Sequence, residues 1–505
     1  MRTRRSVGRL AVTMSSPGVA VAALTVIAAL LRFPTLDAKS FWVDEVVTVS
    51  LVRQDFGSML EAIPSSESTP PVYYVLAWVW SQAFGVGEVG LRSLSALLGT
   101  AVVPVAYLAT RELSSNRAGT ASAALVAVNP LLVWYSQEAR AYTLLVLLGG
   151  LSYLFFARSL RQPRPRSLVF WVFASALALA THYFALFLVI PEAIWLLIQL
   201  RRRRAAVLAA VSVACVGLVL LPLALQQLEN PRWIAESGLG SRLVQIPAIF
   251  LIGFEIPLPY AFAAATVAGA LAAVGFWLLV RRADPTERGR GFVAAGIGAA
   301  AVVFPALLSI LGLDYVVYKN VIAAVFPLTL AVAVGLAARR AGRLGFVALT
   351  ALVTLSAALA SATLWEPKYH REDWRRAAEA IGPARGPHAI VVTPLDGALP
   401  LELYLGASRQ REASGRLRIS EIDLVAGARR PLGSIAEPQT PRPSTPTAPD
   451  PRFRVVERVE ADRFTLIRYR SATPVSVSIE LLRAVALDSG RVAVLFRSTA
   501  RVDTE

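Results

Sequence analysis

Cysteine is all but missing from this chain: its 505 residues hold one, Cys215, inside an apolar run. That excludes an intramolecular disulfide and a cysteine-based zinc site of the usual four-ligand kind. Charge is scarce as well, at 17% of residues against 55% hydrophobic. With a mean hydropathy of +0.55, the composition is that of a membrane protein, since a soluble chain this long carries far more surface charge. Acids are the scarcer sign, 34 against 51 Lys and Arg. The net charge of +17 does not point to nucleic acid, because the basic residues sit in short clusters between apolar runs, as topology signals do.

What the sequence has in abundance is apolar stretches of bilayer length, at 19–36, 92–111, 118–135, 141–157, 167–182, 183–200, 205–225, 260–280, 292–312, 321–338 and 344–365. The first follows a basic N-terminus but is long enough to span, so it reads as a retained helix rather than a signal peptide. Basic clusters fall at alternate ends of these runs: Arg2, Arg4, Arg5 and Arg9; Arg111 and Arg117; Arg158, Arg161, Arg164 and Arg166; Arg201 to Arg204; Arg281, Arg282, Arg288 and Arg290; Arg339, Arg340 and Arg343. The positive-inside rule puts all of them in the cytoplasm. Two further apolar stretches, 71–86 and 243–259, read as helices lying in the outer interface, since either one spanning alone would flip every later cluster. Tyr73, Tyr74, Trp78 and Trp80 in the first of them are residue types favoured at headgroup depth.

From Glu366 onward no run is long enough to cross. EDWRRAAEAIG reads as a helix, HAIVVTP as a buried strand and PLELYLG as another helix. Residues 431–451 form a Pro/Ser/Thr-rich loop, followed by strand candidates FRVVERVEA, FTLIRYRS and RVAVLFRS. The expected fold is a polytopic α-helical membrane protein of about eleven transmembrane helices plus interfacial helices over 1–365. A small extracytoplasmic α/β domain follows over 366–505.

Polar side chains concentrate in the outer loops. FWVDEVVTVS places Asp44 and Glu45 after two aromatics, where the chain leaves the first span; on a helix the two acids diverge, so only one reaches a given atom. WYSQEARAY supplies Glu138 and Arg140, THYF supplies His182 and Tyr183, and DYVVYKN supplies Tyr315, Tyr318 and Lys319. All four strings open to one side on this topology. Acids and bases there suit a reaction of an anionic membrane lipid with a hydroxyl or amine, a carboxylate taking the proton and Arg or Lys holding a departing phosphate. Each residue also has a plainer role open to it: Asp44 as a helix cap, Glu45 in a salt bridge, Glu138 and Arg140 as a mutual pair, His182 and the Tyr and Trp residues as interfacial anchors, Lys319 snorkelling to headgroups.

The order of WVDE, then PPVYYVLAWVWSQAFGVGEVGLRSLSALLGT, then NPLLVWYSQEARAYTLLVLL resembles the bacterial branch of the protein O-mannosyltransferase and aminoarabinose transferase superfamily, glycosyltransferases of family 39 type with the GT-C fold. The likeness covers roughly 40–200. It implies an inverting membrane glycosyltransferase that takes a sugar from a polyprenyl-phosphate carrier on the outer face. The acid acting at the acceptor maps to Asp44, the second-loop acid to Glu138, and the late basic position to Lys319 beside Tyr318. The interfacial helices of the family look like 71–86 and 243–259. Many members carry His or Lys before the Pro-Pro pair, where this chain has Ser68 and Thr69. Lys319 in place of Arg loses the bidentate fork, so phosphate contact passes to Arg140 or Arg92.

The expectation is single displacement at the anomeric carbon with Asp44 as base. Glu45, Glu138, Arg140, His182, Tyr318, Lys319, Arg92 and Tyr73 are expected to bind substrate. Polyprenyl phosphate leaves as a stable anion and no general acid is required. No metal or other cofactor is expected; a divalent ion between Asp44 and Glu138 is the minor alternative. The competing class is a polytopic lipid or glycan transporter. It would show ionisable groups near mid-bilayer and internal repeats, and the sequence reads as having neither.

Overall fold

The computed structural model describes residues 17–200, 203–254, 256, 258–406, 408–409, 415–428, 440–488 and 491–497. The first basic cluster, Arg201 and Arg202, and the 431–439 part of the Pro-rich loop lie outside the described residues. By internal contacts the chain forms two compact units. One joins Met1–Leu36 to Ser50–Thr363, the other joins Asp37–Val49 to Leu364–Glu505.

Helices come in the order α1 (Pro17–Arg32), α2 (Val43–Val52), α3 (Phe56–Ser66), α4 (Val72–Phe84), α5 (Glu88–Leu113), α6 (Asn116–Val128), α7 (Pro130–Tyr135), α8 (Tyr142–Arg161), α9 (Pro165–Leu179) and α10 (Leu186–Gln199). They continue with α11 (Arg203–Gln226), α12 (Leu239–Ile252), α13 (Leu258–Arg282), α14 (Pro285–Ile310), α15 (Val325–Leu336) and α16 (Gly342–Trp365). Each apolar run read as a span is helical. Among the described residues six helices, α5, α8, α11, α13, α14 and α16, are long and apolar enough to cross a membrane. The run 118–135 is broken into α6 and α7 at Asn129–Pro130: proline cannot continue the preceding helix, and the Asn129 side chain caps the next one, accepting from the Leu132 N–H at 3.0 Å.

Burial sorts these helices. α5 and α8 are enclosed by their neighbours, whereas α11, α13, α14 and α16 expose large apolar side chains such as Leu208, Val219, Phe262, Ile310 and Val347. Apolar surface on that scale is solvated by lipid, not by water. At one end of α8, Glu112 accepts from Arg158 at 3.3 Å and Arg161 at 3.0 Å, and Arg290 donates to the Glu112 and Leu113 carbonyls. Three basic clusters therefore share one end of the bundle. α8 has 20 residues and spans about 30 Å, a bilayer core, so Glu138 and Arg140 at its start lie at the opposite end.

The expectation of no ionisable group near mid-bilayer is corrected by α10. Glu192 is fully buried there, accepting from Ser152 of α8 at 2.5 Å and Trp171 of α9 at 2.8 Å. Neighbouring helices supply donors that the apolar stretch around Glu192 does not reveal. Tyr73 and Tyr74 differ too from their reading as headgroup anchors. Both rings are enclosed by protein, edge to face at 5.5 Å. Trp78 and Trp80 spend their N–H groups on the carbonyls of Gln54 and Gly90.

In the second unit a six-stranded sheet runs in the order β2-β6-β1-β3-β5-β4, with β1 (His388–Thr393), β2 (Ser408–Arg409), β3 (Arg416–Gly427), β4 (Arg454–Glu460), β5 (Phe464–Ser478) and β6 (Ala493–Arg497). β1 and β3 are parallel, and the other pairings antiparallel. α17 (Trp374–Ile381) and α18 (Ala398–Leu405) cover one face, packing Trp374, Ile381 and Leu401 on Ile390, Val392 and Leu466. The opposite face buries Val391, Ile422, Ile467 and Tyr469 with α19 (Ile479–Ala484). Every residue of β1 is buried, as a central strand requires.

Candidate active site

Three of the four strings singled out in the sequence meet in the first unit. Arg32 and Gln137 brace the turn that carries Glu138 and Arg140. Arg32 is buried at the end of α1 and donates to Ser136 Oγ at 3.0 Å and to the Ala127 carbonyl at 2.8 Å. Gln137 returns a hydrogen bond to Thr35 at 2.6 Å. Gly99 of α5 lets this turn come close, because a Cβ there would sit 2.0 Å from Ser136 Oγ.

Glu138 and Arg140 each engage a further residue. The indole N–H of Trp134 donates to Glu138 Oε1 at 2.7 Å, one helical turn back. Arg140 grips Glu67 in a two-pronged pair, Nη1 to Oε1 at 2.6 Å and Nη2 to Oε2 at 2.9 Å, with both side chains buried. Glu67 caps the end of α3, and its loop is stitched down from after α11: Asn230 donates to the Pro64 and Glu67 carbonyls and Gln227 to those of Ile63 and Thr69. Tyr183 of THYF donates to Gln227 at 2.7 Å, tying a second string to the same loop.

His182 is the meeting point. It is buried in the turn after α9, its Nδ1 accepts the Phe184 N–H at 3.2 Å, and the proton of the neutral ring is therefore on Nε2. Burial, then the nearby charges of Arg140 and Lys319, push the imidazole down to about 3, against a smaller opposing effect from its hydrogen bond with Asn320. The ring is thus a neutral dipole beside two cations from separate loops. The third string is held by Arg242 of α12, which donates to Asp314 and the Val316 carbonyl. Burial raises the Asp314 carboxyl, but the hydrogen bonds and charge of Arg242 outweigh that and keep it below its ordinary value. Lys319 lies over the Trp233 ring at 5.0 Å, and Tyr318 packs against Phe254 at 5.4 Å, which meets Trp134 at 4.9 Å. Arg92 of α5 is buried and donates to the Leu36 carbonyl at 2.8 Å.

Asp44 and Glu45 belong to the second unit. Both stand in the first turn of α2 and diverge as helical geometry dictates. Glu45 is buried, with Oε2 turned back 3.5 Å from the Trp42 N–H at the helix start, the reciprocal half of a capping box. Asp44 remains half-exposed.

Residues 68–225 match the family model described as dolichyl-phosphate-mannose-protein mannosyltransferase. The fold is similar to the crystal structure of ArnT from Cupriavidus metallidurans bound to undecaprenyl phosphate, with 15% identity and a TM-score of 0.54 over 89% of this chain and 97% of that one. The apo structure of the same protein gives 15% and 0.52 over 92% and 98%. The chain carries the GT-C glycosyltransferase fold.

A looser likeness, 13% identical with a TM-score of 0.46 over 81% of this chain and 68% of that one, is to the oligosaccharyltransferase of Archaeoglobus fulgidus solved with Zn and sulfate. No curated protein matches. The resemblance read from the motifs is borne out, and the enzyme class is glycosyltransferase. Of the site residues read in the sequence, Tyr73, Arg92, Glu138, Arg140 and His182 fall inside the GT-C match at 68–225; Asp44, Glu45, Tyr318 and Lys319 fall outside it. Glu67 joins the site without having been singled out in the sequence. Its place just before Ser-Thr-Pro-Pro was the available signal, and its partner lies 73 positions away.

Proposed function

We propose that the chain is a membrane glycosyltransferase that moves a sugar from polyprenyl phosphate to an envelope acceptor, on the outer face of the cytoplasmic membrane. The observation that carries this reading is the burial of two cations from separate loops, Arg140 and Lys319, against a neutral His182 at the end of the bundle away from its arginine clusters. Such a constellation suits a phosphate, and ArnT from C. metallidurans, with the same fold, was solved with undecaprenyl phosphate.

In the proposed reaction the acceptor oxygen forms a bond to the anomeric carbon while the bond from that carbon to the phosphate oxygen breaks. Asp44, half-exposed at the start of α2, takes the acceptor proton. Polyprenyl phosphate leaves carrying the electron pair, its growing charge met by Lys319 and by Arg140, which Glu67 aims. His182 donates from Nε2, and Glu138, Tyr318, Arg92 and Tyr73 shape the sugar and phosphate site. Glu45 supports Asp44 by capping its helix. No metal is assigned a part in this proposed reaction.

The test is transfer of radiolabelled sugar from polyprenyl phosphate in membranes that contain the protein. Asp44→Asn is expected to abolish transfer with the protein still folded, and Lys319→Ala to lower it at least about tenfold, the loss of one charge-assisted phosphate contact. Turnover in Asp44→Asn near that of the parent would end the assignment of the base.

A further inference from the structure

The sheet domain has no residue in the chemistry above, yet the second unit contains the WVDE segment itself, held at five points over six residues. Arg375 donates to the Asp37 carbonyl at 2.7 Å. Ser40 Oγ donates to the Glu372 carbonyl at 2.9 Å and accepts from the Trp374 N–H at 3.1 Å. The Phe41 N–H donates to Tyr404 Oη at 2.8 Å, and the Arg371 guanidinium stacks 3.7 Å from the Trp42 ring centre. Trp42 is the residue whose N–H faces Glu45 and from which α2 starts.

The gripping side is rigid. Trp374 is buried between two glycines: a Cβ on Gly397 would lie 2.1 Å from its ring and one on Gly427 2.7 Å. Its neighbours 371–375 are thereby fixed to the end of β3 and to the turn before α18, and Tyr404 reaches the segment from α18. Ordering free backbone in a loop costs conformational entropy, so an acid on an untethered loop would be poorly aimed.

We propose that the C-terminal α/β domain is a positioning domain for the DE loop, with Arg371, Tyr404 and Ser40 as positioning residues that set the first turn of α2 and hence the Asp44 carboxylate. This rests on Asp44 being the base, but its physical half does not. An isolated acid on a long loop would swing; clamped at Asp37, Ser40, Phe41 and Trp42 it presents one geometry, and the domain acts on catalysis without touching substrate.

The test uses the full chain in detergent. In the double variant Arg371→Ala, Tyr404→Phe, hydrogen exchange is expected to rise across 37–49 while β1 stays protected, and kcat for transfer from a polyprenyl-phosphate sugar to fall ten- to a hundredfold with the donor KM unchanged. Arg371→Lys, which keeps a cation over Trp42, restores most of the rate. Trp42→Ala breaks the clamp from the loop side and leaves the sheet domain intact should the double variant fail to fold. Unchanged exchange over 37–49, or faster exchange with kcat unaltered, overturns the proposal. Asp44→Asn assayed alongside separates the two failures: if it stays active the base is misassigned, whereas an inactive Asp44→Asn with a fully active clamp variant removes only the positioning role.

Discussion

Glu67 and Arg140 form an enclosed ion pair in the helical unit, and its value lies in aim more than in stability. Two charges taken out of water roughly offset their mutual attraction, but losing either one strands the other. A two-pronged grip leaves the guanidinium plane a single orientation, which serves phosphate binding. His182 shows the same enclosure through its proton. The unfolded imidazole titrates near about 6.5, the folded one at about 3, so between those values only the unfolded chain takes up the proton. The stability this group contributes is complete above the unfolded value and is lost as pH falls toward the folded one. Thermal midpoints measured from about pH 7.5 down to about pH 4.5 are expected to drop, and His182→Gln to drop less steeply. Parallel slopes would show that the ring is not held neutral. At this scale the sequence was partly legible: His182, Arg140 and Lys319 stood out by type and loop position. Glu45 did not declare its capping role, because Trp42 is not a capping residue type, and Glu67 did not, because its partner is distant along the chain.

Among the elements, the apolar runs announced themselves by length, and the structure returns a helix for each. Less visible was what interrupts them. Pro130 divides one run, and Glu192 puts a carboxyl inside another where Ser152 and Trp171 point donors at it from two other helices. An intramembrane acid of this kind is costly unless its neighbours satisfy it. Glu192→Gln keeps an acceptor for both donors and is expected to shift the unfolding transition little. Glu192→Ala leaves a buried hydroxyl and indole N–H facing a void and is expected to lose about 2–4 kcal/mol, read from thermal or denaturant unfolding in detergent. Equal behaviour of the two variants would mean the carboxyl is not an acceptor there. The tail shows the converse limit. HAIVVTP was plain as a strand because β1 is buried on both faces. β3 was not, since Arg416, Arg418, Glu421 and Asp423 break its apolar pattern; Glu421 and Asp423 are tolerated because Arg468 and Arg470 of β5 lie opposite them.

For the whole molecule, the distribution of arginine is the feature that orders the rest. Clusters from three separate connections converge on Glu112, and the loops with His182, Arg140 and Lys319 converge at the other end of helices about 30 Å long. Two ends so different in charge have one stable orientation in a membrane whose cytoplasmic side retains basic loops. The proposed outer-face reaction depends on that orientation, and it can be read without an activity assay. Cys215, the sole cysteine, is exposed on apolar α11, where lipid keeps it from aqueous reagents; Cys215→Ser gives a clean background. In that background Arg483→Cys, exposed on α19, is expected to react with a membrane-impermeant maleimide in intact spheroplasts. Arg164→Cys, exposed between α8 and α9, is expected to react only after permeabilisation. Labelling of residue 164 from outside would turn the helical unit over and place the Arg140–Lys319 site on the cytoplasmic face, where a donor presented on the outer leaflet could not reach it; protection of residue 483 would take the sheet domain off the outer face.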